Sequence, residues 1–406
     1  MVRVVAVLLA LAASWVGARA DVPHQDAPPR VVTLEAALGG AESIPEVAVA
    51  RAMERLADSG VRAARAPGEP TLTVATRSVT ARESLAISIP FRWGGQKAAA
   101  RSAAEADRDT ASRSREAVVA EARRMCRIAW YTLAAGEDLL RAADELVARS
   151  QRNRKAITDL YEAQRVSRLD VSRATAEAAL GAAARSQAER VVIAASAELR
   201  ALLGYSDARL TAGPSRPVPP PVASLEESRQ RARTASPDLA VATAELRAAE
   251  ARVTQRTREK RPATSFDAGA DWNDPTQPGT DVSIGLGITF PTRARAAVDA
   301  ATAERDRAAA ALERANRRLE ADLESAWSST ESARQRFDAV DGVARPAAVE
   351  AAELTRIAYT EGKLDLFRLL DAERALADTE RDRADAYREW GAAYADLLRL
   401  APQDNP

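Results

Sequence analysis

Residues 264–273 read TSFDAGADWN and residues 281–290 read DVSIGLGITF, and in both stretches the even-numbered positions carry most of the apolar side chains. The odd-numbered positions between Asp281 and Thr289 are small or polar. A period of two puts successive side chains on opposite faces of a β-strand, so one face is apolar and the other is not. With the turn-rich DPTQPGT between them, the two stretches predict a hairpin that suits a boundary between lipid and water at least as well as a protein core.

The first half of the chain carries the same pattern. Its strands are predicted over 71–77 (TLTVATR) and 84–91 (SLAISIPF), again with alternating apolar residues. A single hairpin of this kind favours a soluble hairpin packed on a helix. Two hairpins at matching places in a duplicated helical chain favour the membrane interpretation instead.

Long Ala-, Arg- and Glu-rich segments flank both hairpins and have a helical pattern. The segment from about Thr292 to Ala358 contains few helix breakers and would reach about 100 Å at the rise of an α-helix. Tyr387, Trp390, Tyr394 and Leu397 follow steps of 3, 4 and 3, a spacing typical of a coiled-coil seam. The predicted fold class is therefore mainly α with a small β part, made of long antiparallel helices in two internal repeats, each with a hairpin.

The proline-rich run GPSRPVPPPV cannot continue a helix and is expected to connect the two repeats. The first residues have the positive n-region, short apolar run and Ala-x-Ala site of a cleaved secretory signal. The predicted organisation is a signal at 1–20, an extension at 21–30, a first repeat at 31–212 with its hairpin at about 71–91, a connector at 213–222, a second repeat at 223–400 with its hairpin at about 264–290, and a tail at 401–406.

Composition argues against several functional classes. Lys plus Arg and Asp plus Glu both number 58, so no net basic charge points to nucleic acid. The chain has one histidine, His24, and one cysteine, Cys126, which leaves no soft metal cluster and no histidine-containing catalytic triad. Phosphate-binding and dinucleotide-binding glycine motifs are absent from the sequence. We therefore expect no enzyme activity, no cofactor and no metal site.

Four segments resemble the TolC-like outer-membrane efflux proteins in their order and spacing. The resemblance covers about residues 31–400. The segments are ISIPFRWGGQKAAARSAAEA (87–106), YEAQRVSRLDV (161–171), SPDLAVATAELRAAEARV (236–253) and YTEGKLDLFRLLDAERAL (359–376). The compact chain is somewhat more similar to the heavy-metal (CzcC-like) branch than to the drug-efflux branch.

The resemblance implies a homotrimer whose three subunits close a 12-stranded β-barrel in the outer membrane above an α-helical periplasmic tunnel. It also implies a passive conduit that takes metal cations or small toxic compounds from an inner-membrane pump of the RND type through a periplasmic adaptor (membrane fusion) protein. Outer-membrane lipid would surround the barrel. The alternative from the residues alone is a secreted periplasmic coiled-coil scaffold or adaptor protein without a pore.

Three groups of site residues follow from the resemblance and from the alternation of the strands. The periplasmic tip, where the adaptor would dock, comprises Arg165, Val166, Ser167, Arg168, Leu169, Gly362, Lys363 and Leu364. The barrel lumen is expected to be lined by Arg77, Asp267 and Asp271.

The third group is a constriction with exchanged charges. Aligning Tyr161 with Tyr359 sets Asp170 against Arg368 and Arg173 against Asp371. In a pseudo-sixfold ring of half-repeats, these opposite charges are expected to pair between neighbouring helices and close the tip. The alternative is that all four are solvated surface charges of little energetic weight. Because Gln164 stands where the second turn has Gly362, the geometry of the first turn does not follow from the sequence.

Overall fold

A computed structural model of the chain describes residues 29–77, 82–91, 94–206, 209–272 and 279–403. The predicted secretory signal at 1–20 lies outside these residues, as do most of the predicted extension and the end of the tail. The strands are β1 (Arg30–Val31), β2 (Thr71–Arg77), β3 (Arg82–Phe91), β4 (Leu210–Thr211), β5 (Ala263–Trp272) and β6 (Asp281–Thr289).

Helices account for most of the described chain. They are α1 (Leu34–Gly40), α2 (Pro45–Arg65), α3 (Gln96–Glu162), α4 (Arg168–Leu203), α5 (Leu225–Ala235), α6 (Pro237–Arg258), α7 (Ala294–Ala339), α8 (Arg345–Thr360) and α9 (Leu366–Leu400). A 3₁₀ turn at Ala41–Ser43 precedes α2. Among the helices of the described residues, none is both long enough and apolar enough to cross a bilayer.

The longest helix in each repeat is a rod. Helix α3 has 67 residues, which corresponds to about 100 Å. Its counterpart runs through α7 and α8 and is interrupted only by a π-helical turn at Val340–Ala344. Pro346 follows that turn in the first turn of α8. Because proline has no backbone N–H to donate to the preceding turn, a local change in helical winding is expected there.

Four strands form one antiparallel sheet in the order β2-β3-β5-β6. Each hairpin pairs its own two strands, and β3 pairs with β5 to join the two repeats. Across this central pair Ile87 lies opposite Ala268 and Ser88 lies opposite Asp267, so apolar residues face one side and polar residues the other. Within the described chain, strands β2 and β6 each keep one unpaired edge.

The helices pack side by side at two levels along the subunit, and the long helix α3 runs through both levels. Beside the sheet, neighbouring helices follow the order α2, α3, α6, α7, and at the far end the order is α4, α3, α9, α8. Elements of the first repeat therefore lie at one flank of the subunit (β2, α2 and α4). Elements of the second repeat lie at the other flank (β6, α7 and α8).

An aromatic cluster holds the middle of the molecule together. The rings of Trp130, Tyr131, Tyr387, Phe337 and Trp390 make successive contacts, with centroids 5.3 to 5.9 Å apart. The Trp130 Nε1 donates a hydrogen bond to the carbonyl of residue 32 at 2.8 Å, next to the small parallel pair of β1 and β4. All four residues of the seam predicted in α9 are buried, Tyr387 and Trp390 in this cluster and Leu397 in a second one.

The connector between the repeats is held in place by side chains from both halves. The Tyr387 hydroxyl donates to the carbonyl of Pro217 at 2.9 Å, and just after the connector Trp327 Nε1 donates to the carbonyl of Ala223 at 2.9 Å. Arg216 lies 3.1 Å from the carboxylate of Glu137 and 2.8 Å from that of Asp138. The predicted fold of helical repeats, each with its own hairpin, is confirmed in the single chain.

Candidate functional site

One face of the four-stranded sheet is apolar and open to solvent in the single chain. Its most exposed positions lie in the first half of β6, with Val282 at 75% and Ile284 at 73%. The exposed apolar positions of this face are Leu72, Val74, Leu85, Ile87, Ile89, Phe91, Phe266, Val282, Ile284, Leu286, Ile288 and Phe290. Soluble monomers rarely expose a continuous apolar surface of this kind, so something other than this chain must cover it.

The opposite face of the sheet carries small and acidic residues. Asp267 accepts a hydrogen bond from the Ser265 hydroxyl at 3.2 Å and lies opposite Gly285 in the strand register. Asp271 pairs in register with Asp281 on β6. The backbone of Arg77 ends β2 in register with Arg82. The two aspartates therefore occupy the face away from the exposed apolar surface.

The far end of the helices consists of two turns that have the same backbone geometry. In the first, Gln164 adopts a left-handed φ of 59°, and in the second, Gly362 adopts 72°. The amide of the next residue donates back across the helix end in both, from Arg165 to Leu160 at 2.9 Å and from Lys363 to Ala358 at 2.8 Å. This is a Schellman helix end, which usually takes glycine at the left-handed position. The first turn thus forms with glutamine in that position.

The helix starts after the two turns also correspond. Ser167 caps α4 and shares a capping box with Asp170, whose carboxylate accepts from the Ser167 amide at 3.1 Å. Asp365 caps α9 by accepting from the amide of Arg368 at 3.0 Å. Each cap satisfies amides that a helix start leaves without partners. The spacing Ser-x-x-Asp signals the first cap in the sequence.

The predicted tip residues lie together at these two turns. Arg168 and Leu169 fall in the first turn of α4, and the other six lie in the loops or at their borders. All are exposed except the half-buried Val166. Beneath them a small cluster packs the two helix pairs together; it comprises Ile157, Ala174, Leu366, Leu369 and Leu370.

One exposed apolar residue of the tip was missed by the sequence reasoning. Phe367 lies 198 residues after Leu169, the same offset that relates Tyr161 to Tyr359, and both Leu169 and Phe367 are more than half exposed. The internal repeat is the signal that would have identified it. Together the two side chains place an apolar patch beside the two loops.

The four residues of the predicted constriction do not pair with one another in the single chain. Asp170 is engaged in the capping box, and Arg173, Arg368 and Asp371 are exposed. Among the described residues none of the four makes an ion pair within the subunit.

Neighbouring contacts nevertheless tie α9 to the first repeat. Asn153 donates to the buried carboxylate of Glu373 at 2.8 Å, and Arg374 forms an ion pair with Glu177. In the part of the chain that the structure describes, no group of three or more His, Cys, Asp or Glu side chains is arranged to hold a metal ion.

Comparison with known sequences gives one family match. Residues 229–401 match the family described as outer membrane efflux protein. No curated protein matches the sequence significantly.

Solved structures match the fold over nearly the whole chain. The outer-membrane channel OprN is 22% identical, with a TM-score of 0.74 and coverage of 91% of this chain and 89% of that chain. CusC is 16% identical, with a TM-score of 0.73 and coverage of 91% and 92%. The outer membrane protein VceC from Vibrio cholerae is 17% identical, with a TM-score of 0.72 and coverage of 91% and 95%. The family match and the shared fold confirm the predicted resemblance to outer-membrane efflux proteins.

Proposed function

We propose that this protein is the outer-membrane channel of a tripartite efflux system and passively exports its substrate to the outside. The observation that carries the proposal is the four-stranded sheet, which has one exposed apolar face and two unpaired edges at the end of long helical rods. Strands can lie in a bilayer only if every edge is paired, because hydrocarbon offers no hydrogen-bond partner. A single subunit cannot meet that condition.

A homotrimer supplies the missing partners. The flank that carries β2, α2 and α4 and the flank that carries β6, α7 and α8 lie on opposite sides of the subunit, so the same contact can repeat around a ring. Helix α2 presents Val49, Met53 and Leu56 as an exposed apolar stripe, and α8 presents Leu354 and Ile357. Three copies with four strands each would close a 12-stranded barrel surrounded by outer-membrane lipid.

In this assembly the acidic face of the sheet turns inward. Asp267, Asp271 and Arg77 would line the lumen of the barrel and influence which ions pass. We propose no enzyme activity and no cofactor for this protein. Metal cations or small toxic compounds remain the proposed substrates, in keeping with the compact chain and its similarity to the heavy-metal branch.

A helical scaffold or adaptor without a pore is the competing function. Such a protein has no need for an apolar sheet face open to solvent, and this feature favours the channel. Currents through the purified protein in a planar lipid bilayer test the choice. A channel gives discrete single-channel steps, whereas a scaffold gives the same baseline as the heat-denatured protein.

The tip is the proposed docking site of a periplasmic adaptor that serves an RND-type inner-membrane pump. Its loops expose Arg165, Ser167, Lys363 and Leu364, and the half-buried Val166 anchors the first loop. Arg165 and Lys363 occupy equivalent places in the two turns, so each subunit would present a cation at the same position of both turns. We expect the double variant R165E/K363E to lose co-purification with the adaptor, whereas R317E, at an exposed site on α7, keeps it.

The constriction is the proposed gate. Among the described residues, Arg173, Arg368 and Asp371 make no ion pair and are exposed, and Asp170 makes no ion pair besides the hydrogen bonds of its capping box. We infer that these opposite charges pair between neighbouring subunits. We expect Asp371→Arg to increase leak of small ions through the resting channel and the double variant D371R/R173D to reduce it again.

A matched control separates the gate from a general charge effect. Asp378→Arg makes the same charge change on the exposed surface of α9 and is expected to leave leak unchanged. Leak that stays at the wild-type level in D371R would overturn the gate and leave the channel function standing.

A further inference from the structure

Basic side chains are concentrated where the helices meet the four-stranded sheet. Segments 62–69, 94–101, 256–261 and 293–299 contain ten basic residues and three acidic ones, although the whole chain carries 58 of each. The ten form what we call the basic belt: Arg62, Arg65, Lys97, Arg101, Arg256, Arg258, Lys260, Arg261, Arg293 and Arg295. An excess of this size in a neutral chain calls for a local cause.

The belt is a single layer because the chain crosses between helix and sheet four times at this level. Gln96 Nε2 donates to the backbone carbonyls of Arg258 at 3.3 Å and Arg261 at 3.1 Å, and so joins the starts of α3 and β5. Arg261 Nη1 donates to the carbonyl of Gly94 at 2.9 Å. These contacts hold the two repeats together immediately below the sheet.

Most belt cations are not neutralised within the subunit. Among the described residues, seven make no ion pair, and all seven are exposed: Arg62, Lys97, Arg258, Lys260, Arg261, Arg293 and Arg295. In contrast, Arg65 and Arg101 share the carboxylate of Glu105 at 3.0 and 2.8 Å. The remaining positive charge is therefore open to a partner from outside the chain.

Helix stability explains only part of the belt. Cations stabilise the C-terminal ends of helices, where the helix dipole is negative, and this suits the belt residues at the ends of α2 and α6. Lys97 and Arg295 instead lie in the first turns of α3 and α7, where the dipole disfavours cations, and neither first turn has an acidic residue. These two cations lower local helix stability, so another interaction must account for them.

The belt borders the exposed apolar face of the sheet. Phe91 and Phe290 mark the end of that face nearest the helices, and both are exposed. An apolar surface that passes directly into a layer of unpaired cations matches the change from hydrocarbon to phosphate across one leaflet of a membrane. We propose that the basic belt binds the phosphate groups of anionic phospholipids in the leaflet nearest the helices. This inference rests on the proposed insertion of the sheet in the outer membrane.

Binding of this kind has a characteristic dependence on charge and salt. Each lysine or arginine near an anionic membrane surface contributes attraction that falls off over a screening length of about 8 Å at physiological salt. Removing four belt charges is therefore expected to reduce the preference for anionic over zwitterionic lipid by at least about tenfold. High salt should have the same effect on the wild-type protein.

The test uses the full chain extracted from the outer membrane in detergent, with native mass spectrometry to count bound phosphatidylglycerol and phosphatidylethanolamine. The belt variant is K97Q/K260Q/R293Q/R295Q. The control variant R152Q/R154Q/K155Q/R190Q removes the same charge from exposed sites on α3 and α4 that make no ion pair in the described chain. Wild type and control are expected to prefer phosphatidylglycerol, and the belt variant to bind both lipids alike.

The other outcomes overturn the proposal. A belt variant that keeps the lipid preference excludes the belt as its source, and displacement of the lipid by inorganic phosphate identifies a site for free anions instead. A change in the ion selectivity of the channel without a change in lipid preference places the belt in the lumen. A wild-type trimer without lipid preference contradicts the belt alone, whereas a soluble monomer contradicts the proposed function as well.

Discussion

At the scale of single residues, the two tip turns are the clearest case in which backbone geometry overrides residue type. Gln164 adopts the left-handed conformation that Gly362 adopts in the second repeat. The sequence could not predict this, because glutamine rarely takes a positive φ. The turn forms because the packing of α3 on α4 brings the helix ends together and the Schellman hydrogen bonds satisfy the last carbonyls.

The turns therefore respond oppositely to substitution. Gly362→Ala forces a side chain into a left-handed backbone and is expected to lower the free energy of unfolding by about 1 kcal/mol. Gln164→Gly relieves the same strain and is expected to raise stability by a few tenths of a kcal/mol, since glycine also loosens the unfolded chain. Thermal denaturation of the purified variants measures both. Equal shifts of the same sign would show that the two turns differ in conformation.

The reactivity of the Cys126 thiol reports how tightly the central core is packed. Its side chain is fully buried, and this burial raises the pKa of the thiol from its ordinary 9.0 to about 11. The folded protein therefore holds the neutral thiol. The contribution of this thiol to the free energy of unfolding is fully present below pH 9 and is lost as the pH rises towards 11. We expect negligible alkylation of Cys126 by iodoacetamide at pH 8 until denaturant is added.

An exposed thiol provides the comparison for that experiment. In the S186C variant, the introduced cysteine lies on the surface of α4 and should be alkylated at once, while Cys126 remains protected. Rapid modification of both sites in the native protein would mean that the core opens readily.

At the scale of elements, the strands were predictable and the contacts between repeats were not. Alternation along residues 264–273 and 281–290 predicts β5 and β6 because a strand places neighbouring side chains on opposite faces. No comparable local signal links Arg216 to Glu137 and Asp138, which lie more than 70 residues earlier in the chain. Long-range ion pairs leave no pattern in a single sequence, and only the fold brings them together.

The ion pairs at the connector are expected to stabilise the junction of the two repeats. The Asp138 carboxylate is only 8% exposed and interacts with Arg216 at 2.8 Å and Arg383 at 3.4 Å. Arg216→Ala removes one of these partners from a nearly buried carboxylate and is expected to lower stability by about 2 kcal/mol. Thermal denaturation again provides the measurement.

An exposed ion pair serves as the control for this substitution. Arg317 pairs with Glu313 on the surface of α7, where both side chains are well exposed, and Arg317→Ala should change stability by less than about 0.5 kcal/mol. A similar loss of stability in the two variants would mean that the connector ion pairs stabilise the protein no more than an exposed ion pair does.

At the scale of the whole molecule, the two faces of the sheet are expected to tolerate charge differently. Ile284→Lys places a cation on the face assigned to lipid, where it is expected to cost up to about 4 kcal/mol and to prevent membrane assembly. Ser283→Lys places the same residue one position earlier on the opposite face and should still assemble. The yield of each variant in the outer-membrane fraction measures the difference, and equal yields would contradict the assignment of the faces.

A single subunit leaves strand edges and apolar side chains uncovered, and the positions of these surfaces favour a ring of subunits. Both sheet edges, the apolar stripe of α2 and the exposed residues of α8 lie at the two flanks, where a second and third copy would cover them. The sequence predicted the apolar strand face from periodicity alone. The position of each flank required the fold, because the order of neighbouring helices cannot be deduced from spacing.

The most direct test of this account is the mass of the species extracted in detergent from the outer membrane of cells that express the full chain. The account predicts a trimer in the outer-membrane fraction. A monomer in the soluble periplasmic fraction would contradict it, because the apolar sheet face and the two strand edges would then have no membrane and no neighbouring subunit to cover them.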